Sequence, residues 1–203
     1  MKHEAFHYRT LDQLRQTLRR LGLTLPLSEN YSVLAQPLRL KNGKASPNRI
    51  VVQPMEGCDG TPDGRPGALT LRRYKRFAES GAGMIWAEAT AVCAEGRANP
   101  RQLWICPENV GALGRMVEQI KETSMKKNGF APLVIMQATH SGRYAKPNGV
   151  PEPVIAYQNP LFEKTKPISP ASIITDDELK ALEELYGRAA RLAEQAGFDG
   201  IDI

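Results

Sequence analysis

From residue 49 onward the chain repeats one pattern: a short apolar run, a loop, an amphipathic segment, a glycine, and then the next apolar run. The runs are Arg49–Met55, Met84–Thr90, Pro132–Thr139 and Gly200–Ile203. Between them lie segments with helical spacing. The segment Thr70–Ser80 sets Leu71, Tyr74, Phe77 and Ala78 on one face and stops at Gly81, which is expected to form a left-handed cap. The next segment opens with Pro107 at its first helical position and turns Val110, Leu113, Met116, Val117 and Ile120 inward. It ends in Lys126-Lys127-Asn128-Gly129, placing cations at the negative end of the helix dipole. The last segment starts on a capping box, Thr175 with Glu178, runs to Ala196 and closes at Gly197. Continuous apolar strands separated by amphipathic helices need helices on the sheet's faces, which means a parallel α/β sheet. Right-handed crossovers leave an open doubly wound sheet or a closed barrel. No dinucleotide fingerprint follows the first strand, which favours the barrel.

The chain before this pattern is different. Leu11, Leu14, Leu18 and Leu21 have helical spacing on a basic segment, read as a peripheral helix. Ser32–Lys44 carries Asn42-Gly43, which suits a type I′ hairpin turn. The expected organisation is therefore a helix and capping hairpin over residues 1–45, followed by an incomplete TIM-type (β/α)8 barrel of about four βα units over 46–203.

Composition narrows the function. With 41% hydrophobic and 24% charged residues in 203, the chain can bury one sizeable core and is neither disordered nor a membrane class. The net charge of +5 comes without a Lys/Arg stripe interleaved with aromatics, so a nucleic-acid partner is not expected. No apolar run has membrane-spanning length, and Met1–Arg9 lacks a signal-peptide core. Cys58, Cys93 and Cys106 are odd in number and lack metal-ligand spacing, so neither a disulfide scaffold nor a metal site is expected. A cytoplasmic setting follows as the expectation.

In parallel α/β folds ligands bind at the carboxyl ends of the strands. The polar residues collect at those ends: Gln53-Pro54-Met55-Glu56, Glu88-Ala89-Thr90, Gln137-Ala138-Thr139-His140-Ser141-Gly142-Arg143, and Asp202. A buried strand gives up free energy to carry such residues, at least about 1 kcal/mol per unsatisfied group. Met84, Trp86 and Met136 are read as core.

Five blocks at these positions resemble the Old Yellow Enzyme and NADH:flavin oxidoreductase family. They are Asn48-Arg-Ile-Val-Val-Gln-Pro-Met55, Gly81-Ala-Gly-Met-Ile-Trp-Ala-Glu-Ala-Thr90, Glu95-Gly-Arg97, the stretch from Gln137 to His140-Ser-Gly-Arg143, and Ala196-Gly-Phe-Asp-Gly-Ile201. Their order and spacing fit over roughly residues 31–203.

The resemblance implies FMN bound non-covalently at the strand ends, reduced by NADPH or NADH, with hydride then passing to an activated alkene or similar small molecule. Pro54, Met55 and Glu56 would line the flavin, Ala89 would set its backbone beside the reactive part of the ring, and Gln137 would bond the pyrimidine edge. Cys58, His140 and Arg143 are the substrate-side candidates, His140 as a site wall rather than a proton donor. Glu88 is expected to anchor the loop under the flavin. The family places Thr or Cys where this chain has Glu56, and a carboxylate there opposes an anionic reduced flavin unless it is protonated or turned away. Tyr144, Tyr157 and Phe162, in the long 141–174 segment, are candidates for a lid.

The same resemblance puts the substrate-activating His pair, or His with Asn, beyond the fourth strand, and the phosphate-binding loops after strands seven and eight. A complete barrel takes about 250 residues. The chain is therefore read as the N-terminal portion of such an enzyme. The alternatives are a non-catalytic module that self-associates into a homo-oligomer, and part of a larger flavin and iron–sulfur dienoyl-thioester reductase or demethylase.

Overall fold

A computed structural model describes residues 5–203. The chain forms two compact units, the first ending at Leu34 and the second running Ala35–Ile203. The hairpin falls in the larger unit.

In the first unit, helix α1 (Leu11–Leu21) spans the predicted residues. The Thr10 side chain accepts from the Gln13 backbone N–H, satisfying one of the free N–H groups at this end, and the Gln13 side chain accepts from the N–H of Arg9, the residue before the cap. Gly22 ends the helix with φ 65°.

The second unit begins with a 3-10 turn, Ser32–Ala35 straddling its edge, and the hairpin β1 (Leu38–Arg39) with β2 (Ala45–Ser46). The turn is not type I′. Only Gly43 has positive φ (85°), and Asn42 does not. The Leu40 N–H donates to Lys44 O and the Gly43 N–H to Leu40 O. This is a type I turn closed by a glycine bulge, in which a single left-handed residue suffices.

The remaining elements are β3 (Val51–Val52), α2 (Ala68–Glu79), β4 (Met84–Ala91), α3 (Val110–Asn128), β5 (Leu133–Thr139), α4 (Asp176–Gln195) and β6 (Gly200–Asp202). All four strands are parallel, and their order is β3-β4-β5-β6. A doubly wound sheet reverses direction near its first strand, whereas here every crossover advances by one strand in the same sense. That is the winding of a barrel.

Local differences from the sequence reading have local causes. The expected strand Arg49–Met55 keeps only two ladder residues, because Pro54 has no N–H and the Met55 N–H turns back onto Gln53 O at 2.9 Å. Ser80, in the right-handed region, caps α2, and Gly81 follows it with φ 84°. Pro107 is not at the first helical position. It lies in a turn leading to the N-cap Asn109, whose buried side chain bonds Arg65, Asp63 O and Trp104 O instead of capping the helix. Gly129 (φ 79°) and the Thr175–Glu178 capping box stand as read.

The core lies between the sheet and its helices. Ile85, Ala87, Val134, Met136 and Ala138 pack from the strands against Tyr74 and Ala78 of α2, Leu113, Met116, Val117 and Ile120 of α3, and Ala189, Leu192 and Ala193 of α4. Each large side chain fully buried there contributes about 1.5–3 kcal/mol. The other face of the sheet carries Trp86, Ile135, Gln137 and Thr139, all half-buried. Trp86 is therefore not core as expected, whereas Met84 and Met136 are buried. The Trp86 indole N–H is buried with no partner among the described residues. In a barrel this face is the interior.

Asp199 gives the Ala196-Gly-Phe-Asp-Gly block a structural reason. Its carboxylate accepts from the Val134 N–H and pairs with Lys44 and Lys121, and its own N–H donates to Val134 O. It thereby fixes the start of β6 beside β5.

Candidate functional site

The loop after β3 is held from below by a buried carboxylate. A register shift between Ala87 and Ala89 makes Glu88 the extra residue of a β-bulge, which re-aims its side chain. Glu88 is 1% exposed. One carboxylate oxygen accepts from the Gly57 N–H at 2.9 Å and the other from Arg73 at 2.7 Å, while the Glu88 N–H donates to the Tyr74 hydroxyl at 2.7 Å. Arg73 also pairs with Asp59 at 2.8 Å, and Thr70 donates to the same carboxylate at 2.7 Å. Although burial opposes it, the hydrogen bonds from Arg73 and Thr70 hold the Asp59 carboxyl below its usual range. Glu88 is thus the anchor the sequence suggested, and Arg73 and Asp59 complete it.

Cys58 lies between the two clamped residues with φ 50°, the only positive φ of a non-glycine residue among those described. Such a conformation is uncommon outside glycine, and the surrounding structure has to over-determine it. The Cys58 thiol is 3.8 Å from a Glu56 carboxylate oxygen, and the Asn99 amide N–H reaches both, at 2.5 Å to Glu56 and 3.3 Å to Cys58. Burial raises the pKa of Glu56, the Asn99 hydrogen bond opposes that, and the nearby charge of Glu88 adds to it. Burial and then the neighbouring Glu56 raise that of Cys58. Met55 is 68% exposed at the tip of this segment, and Pro54 is half-buried.

The ends of β4 and β5 are joined by Gln102. Its amide nitrogen donates to Ala89 O at 3.1 Å and to Thr139 at 3.2 Å, and its oxygen accepts from the Ala98 N–H. Buried Arg97, from the Glu-Gly-Arg block, gathers the carbonyls of Pro62, Pro100 and Gln102. Gln137 sits on the interior face beside Ala89 in register, and its amide nitrogen donates to Asp202 at 2.9 Å.

The three substrate-side candidates do not converge. Cys58 stays with Glu56. His140 follows Ala138 onto the helix side and lines a cavity of about 600 Å3 with Glu95, Pro153, Ile174, Leu182 and Leu185. Its Nδ1 accepts from the Gly142 N–H, and burial lowers its pKa against the pull of Glu95. A side chain at Gly96 would come within 2.6 Å of the imidazole, so that glycine permits the close packing. Arg143 pairs with Glu163 and lies over the Phe162 ring at 5.3 Å, within its own loop. Tyr144, Tyr157 and Phe162 are all exposed.

Arg73, Asp59, Gln102 and Asn99 were missed as site-building residues. Arg73 reads as one more cation on a basic helix, and the other three lie in loops whose approach only the fold sets. The three cysteines are free; Cys93 and Cys106 are buried, and burial, then Glu95, pushes the Cys93 thiol up to about 12. No group of three or more His, Cys, Asp or Glu among the described residues could hold a metal, and none of their helices is long and apolar enough to cross a membrane.

Residues 33–203 match the model of the NADH:flavin oxidoreductase / NADH oxidase family. The chain belongs to this family. Among curated relatives it is 32% identical over 175 residues to an NADPH dehydrogenase of Geobacillus sp. (strain WCH70), covering 85% of this chain and 47% of the relative. It is 27% identical to a probable NADH-dependent flavin oxidoreductase of Bacillus subtilis (strain 168), covering 87% of this chain and 45% of the relative. Among solved structures, the Old Yellow Enzyme homologue of Zymomonas mobilis superposes with a TM-score of 0.65 at 27% identity, over 83% of this chain and 47% of that one. The chain thus spans about half the length of these relatives. The fold is the first part of their α/β barrel.

Proposed function

We propose that this chain supplies the flavin-facing half of an FMN-dependent NAD(P)H oxidoreductase that passes hydride to an activated alkene or related small-molecule acceptor. The observation that carries the reading is the meeting of three segments at one end of a singly wound parallel sheet: the 54–58 loop, Ala89 after the β4 bulge, and Gln137. Family membership supports the cofactor.

The donor set fits an isoalloxazine ring. An amide has two N–H groups and two carbonyl lone pairs, so the bond from Gln137 to Asp202 leaves a donor and an acceptor for the ring's pyrimidine edge. Backbone atoms of Pro54, Met55 and Ala89 need no side-chain chemistry to lie against a flat ring. Glu56 is the departure. In this reading the Glu56 carboxyl is engaged by Asn99 and Cys58 rather than by the ring, and burial raises its pKa, which eases the opposition to a reduced flavin beside it. FMN, when bound, supplies the hydride chemistry. In this reading Cys58 is on the substrate side, whereas His140 packs on the helix side and Arg143 holds its own loop. A cytoplasmic location is supported by the three unpaired cysteines.

The test is a visible spectrum of the full-length protein, followed by anaerobic titration with NADPH and NADH. A flavin band bleached by one nicotinamide is the expected result. A protein that stays colourless after reconstitution with FMN overturns the proposal.

A further inference from the structure

We propose that Arg73 is a positioning residue for the flavin-facing loop: through Glu88 and Asp59 it fixes the backbone of residues 57–59, and with it the left-handed conformation of Cys58. The inference rests on the reading above of residues 54–56 and Ala89 as flavin-facing. Four observations carry it.

The Arg73 guanidinium bridges Asp59 of the loop and Glu88 of β4, at 2.8 and 2.7 Å. Glu88 in turn holds the Gly57 N–H. The guanidinium lies so close beneath Gly57 that a Cβ there would come within 2.1 Å of it, so the loop and the arginine are in direct contact. Finally, the clamps on Gly57 and Asp59 flank the one described non-glycine residue with positive φ. A conformation of that kind persists only where its neighbours impose it. Because Glu88 is the bulge residue that precedes Ala89, one ionic network sets both segments proposed to face the flavin. Nη2 contacts both carboxylates while Nε adds a second bond to Asp59 at 3.3 Å, a planar fork that the single ammonium nitrogen of lysine does not reproduce.

Cys58 offers a readout that needs no flavin, since it is exposed while Cys93 and Cys106 are buried. The rate at which a maleimide dye labels Cys58 is measured in the full-length protein and its variants. Bound flavin is followed separately by its visible circular dichroism, normalised to flavin content. Arg73→Met is expected to speed labelling by about tenfold or more as the loop opens locally, and to change the dichroic band. Arg73→Lys is expected to rescue neither. Gly57→Ala keeps every charged partner but displaces the guanidinium, and is expected to speed labelling in the same direction. A folded Arg73→Met protein with wild-type labelling overturns the proposal. If that variant fails to fold, wild-type labelling in Gly57→Ala does so. A colourless wild type would count against the proposed function alone, because the labelling comparison stands without flavin.

Discussion

Two long loops leave the carboxyl ends of the strands on either side of β4, and they are held by different means. The loop after β3 is tied down by buried Glu88 of β4 and half-buried Arg73 of α2, by Arg97 at the Pro62 carbonyl, and by glycines pressed against backbone. At Gly67, for example, a Cβ would come within 2.6 Å of Asp59 O. The loop after β5 is held mostly by its own residues. It has the Arg143–Glu163 pair, one β-bridge between Ile155 and Ile173, and a 3-10 turn at Pro170–Ser172, while Tyr157, Leu161 and Phe162 lie exposed. The first arrangement suits a segment that must present backbone atoms at a fixed place. The second suits a cover, whose geometry can change without disturbing the core.

If this contrast is real, the largest loss should come from the buried anchor. Glu88→Ala leaves the Gly57 N–H without its acceptor and Arg73 with one carboxylate in place of two. The unpaired Gly57 N–H and the weakened Arg73, which Asp59 still holds, together cost about 1–3 kcal/mol. Denaturant unfolding of the full-length protein measures it, and a loss no greater than that of a surface pair would erase the distinction between the loops.

The second loop should yield less. Thr175→Ala removes the cap at the junction of that loop with α4 and should cost about 1 kcal/mol. Arg143→Ala removes an ion pair that lies within the loop and should cost less than the Glu88 variant. The Arg143 variant should nevertheless be cut faster by chymotrypsin near Leu161 and Phe162, because the cation over the Phe162 ring is lost with it. Unchanged cleavage would mean that something other than Arg143 holds the segment.

The same contrast explains what the sequence disclosed. The elements are legible because their signals are local: glycine at a left-handed helix end, Thr175 with Glu178 three residues on, leucines repeating along α1. The polar strand ends are legible because a buried strand has no other reason to carry Glu88 or Gln137. What stayed hidden depends on which element approaches which. Nothing in the string Leu-Arg-Arg-Tyr says that Arg73, and not Arg72, lies under Gly57. Strand alternation alone could have placed His140 on the helix side with Ala138. Its place in a conspicuous motif drew it to the substrate side instead. Trp86 was misread because an apolar run looks the same whether a residue faces helices or the barrel interior.

The smallest expected effect sharpens the first loop's own chemistry. Burial raises the Glu56 pKa, so the folded chain favours its protonation more than the unfolded chain does. The stability this gives is present below the ordinary carboxylate range and is lost as the pH rises through the raised value. At neutral pH the ionised group is a cost. Glu56→Gln mimics the protonated form and can still accept from Asn99. It should therefore be the more stable protein at neutral pH and equal to wild type at about pH 3, where both side chains are neutral. Since Glu56 is only half-buried, the gain should stay below about 1 kcal/mol. Melting curves of the pair across pH check the sign. A variant less stable at neutral pH would show that the Asn99 hydrogen bond to the carboxylate outweighs the burial. The loop would then hold a stabilised charge beside the proposed flavin face rather than a disfavoured one.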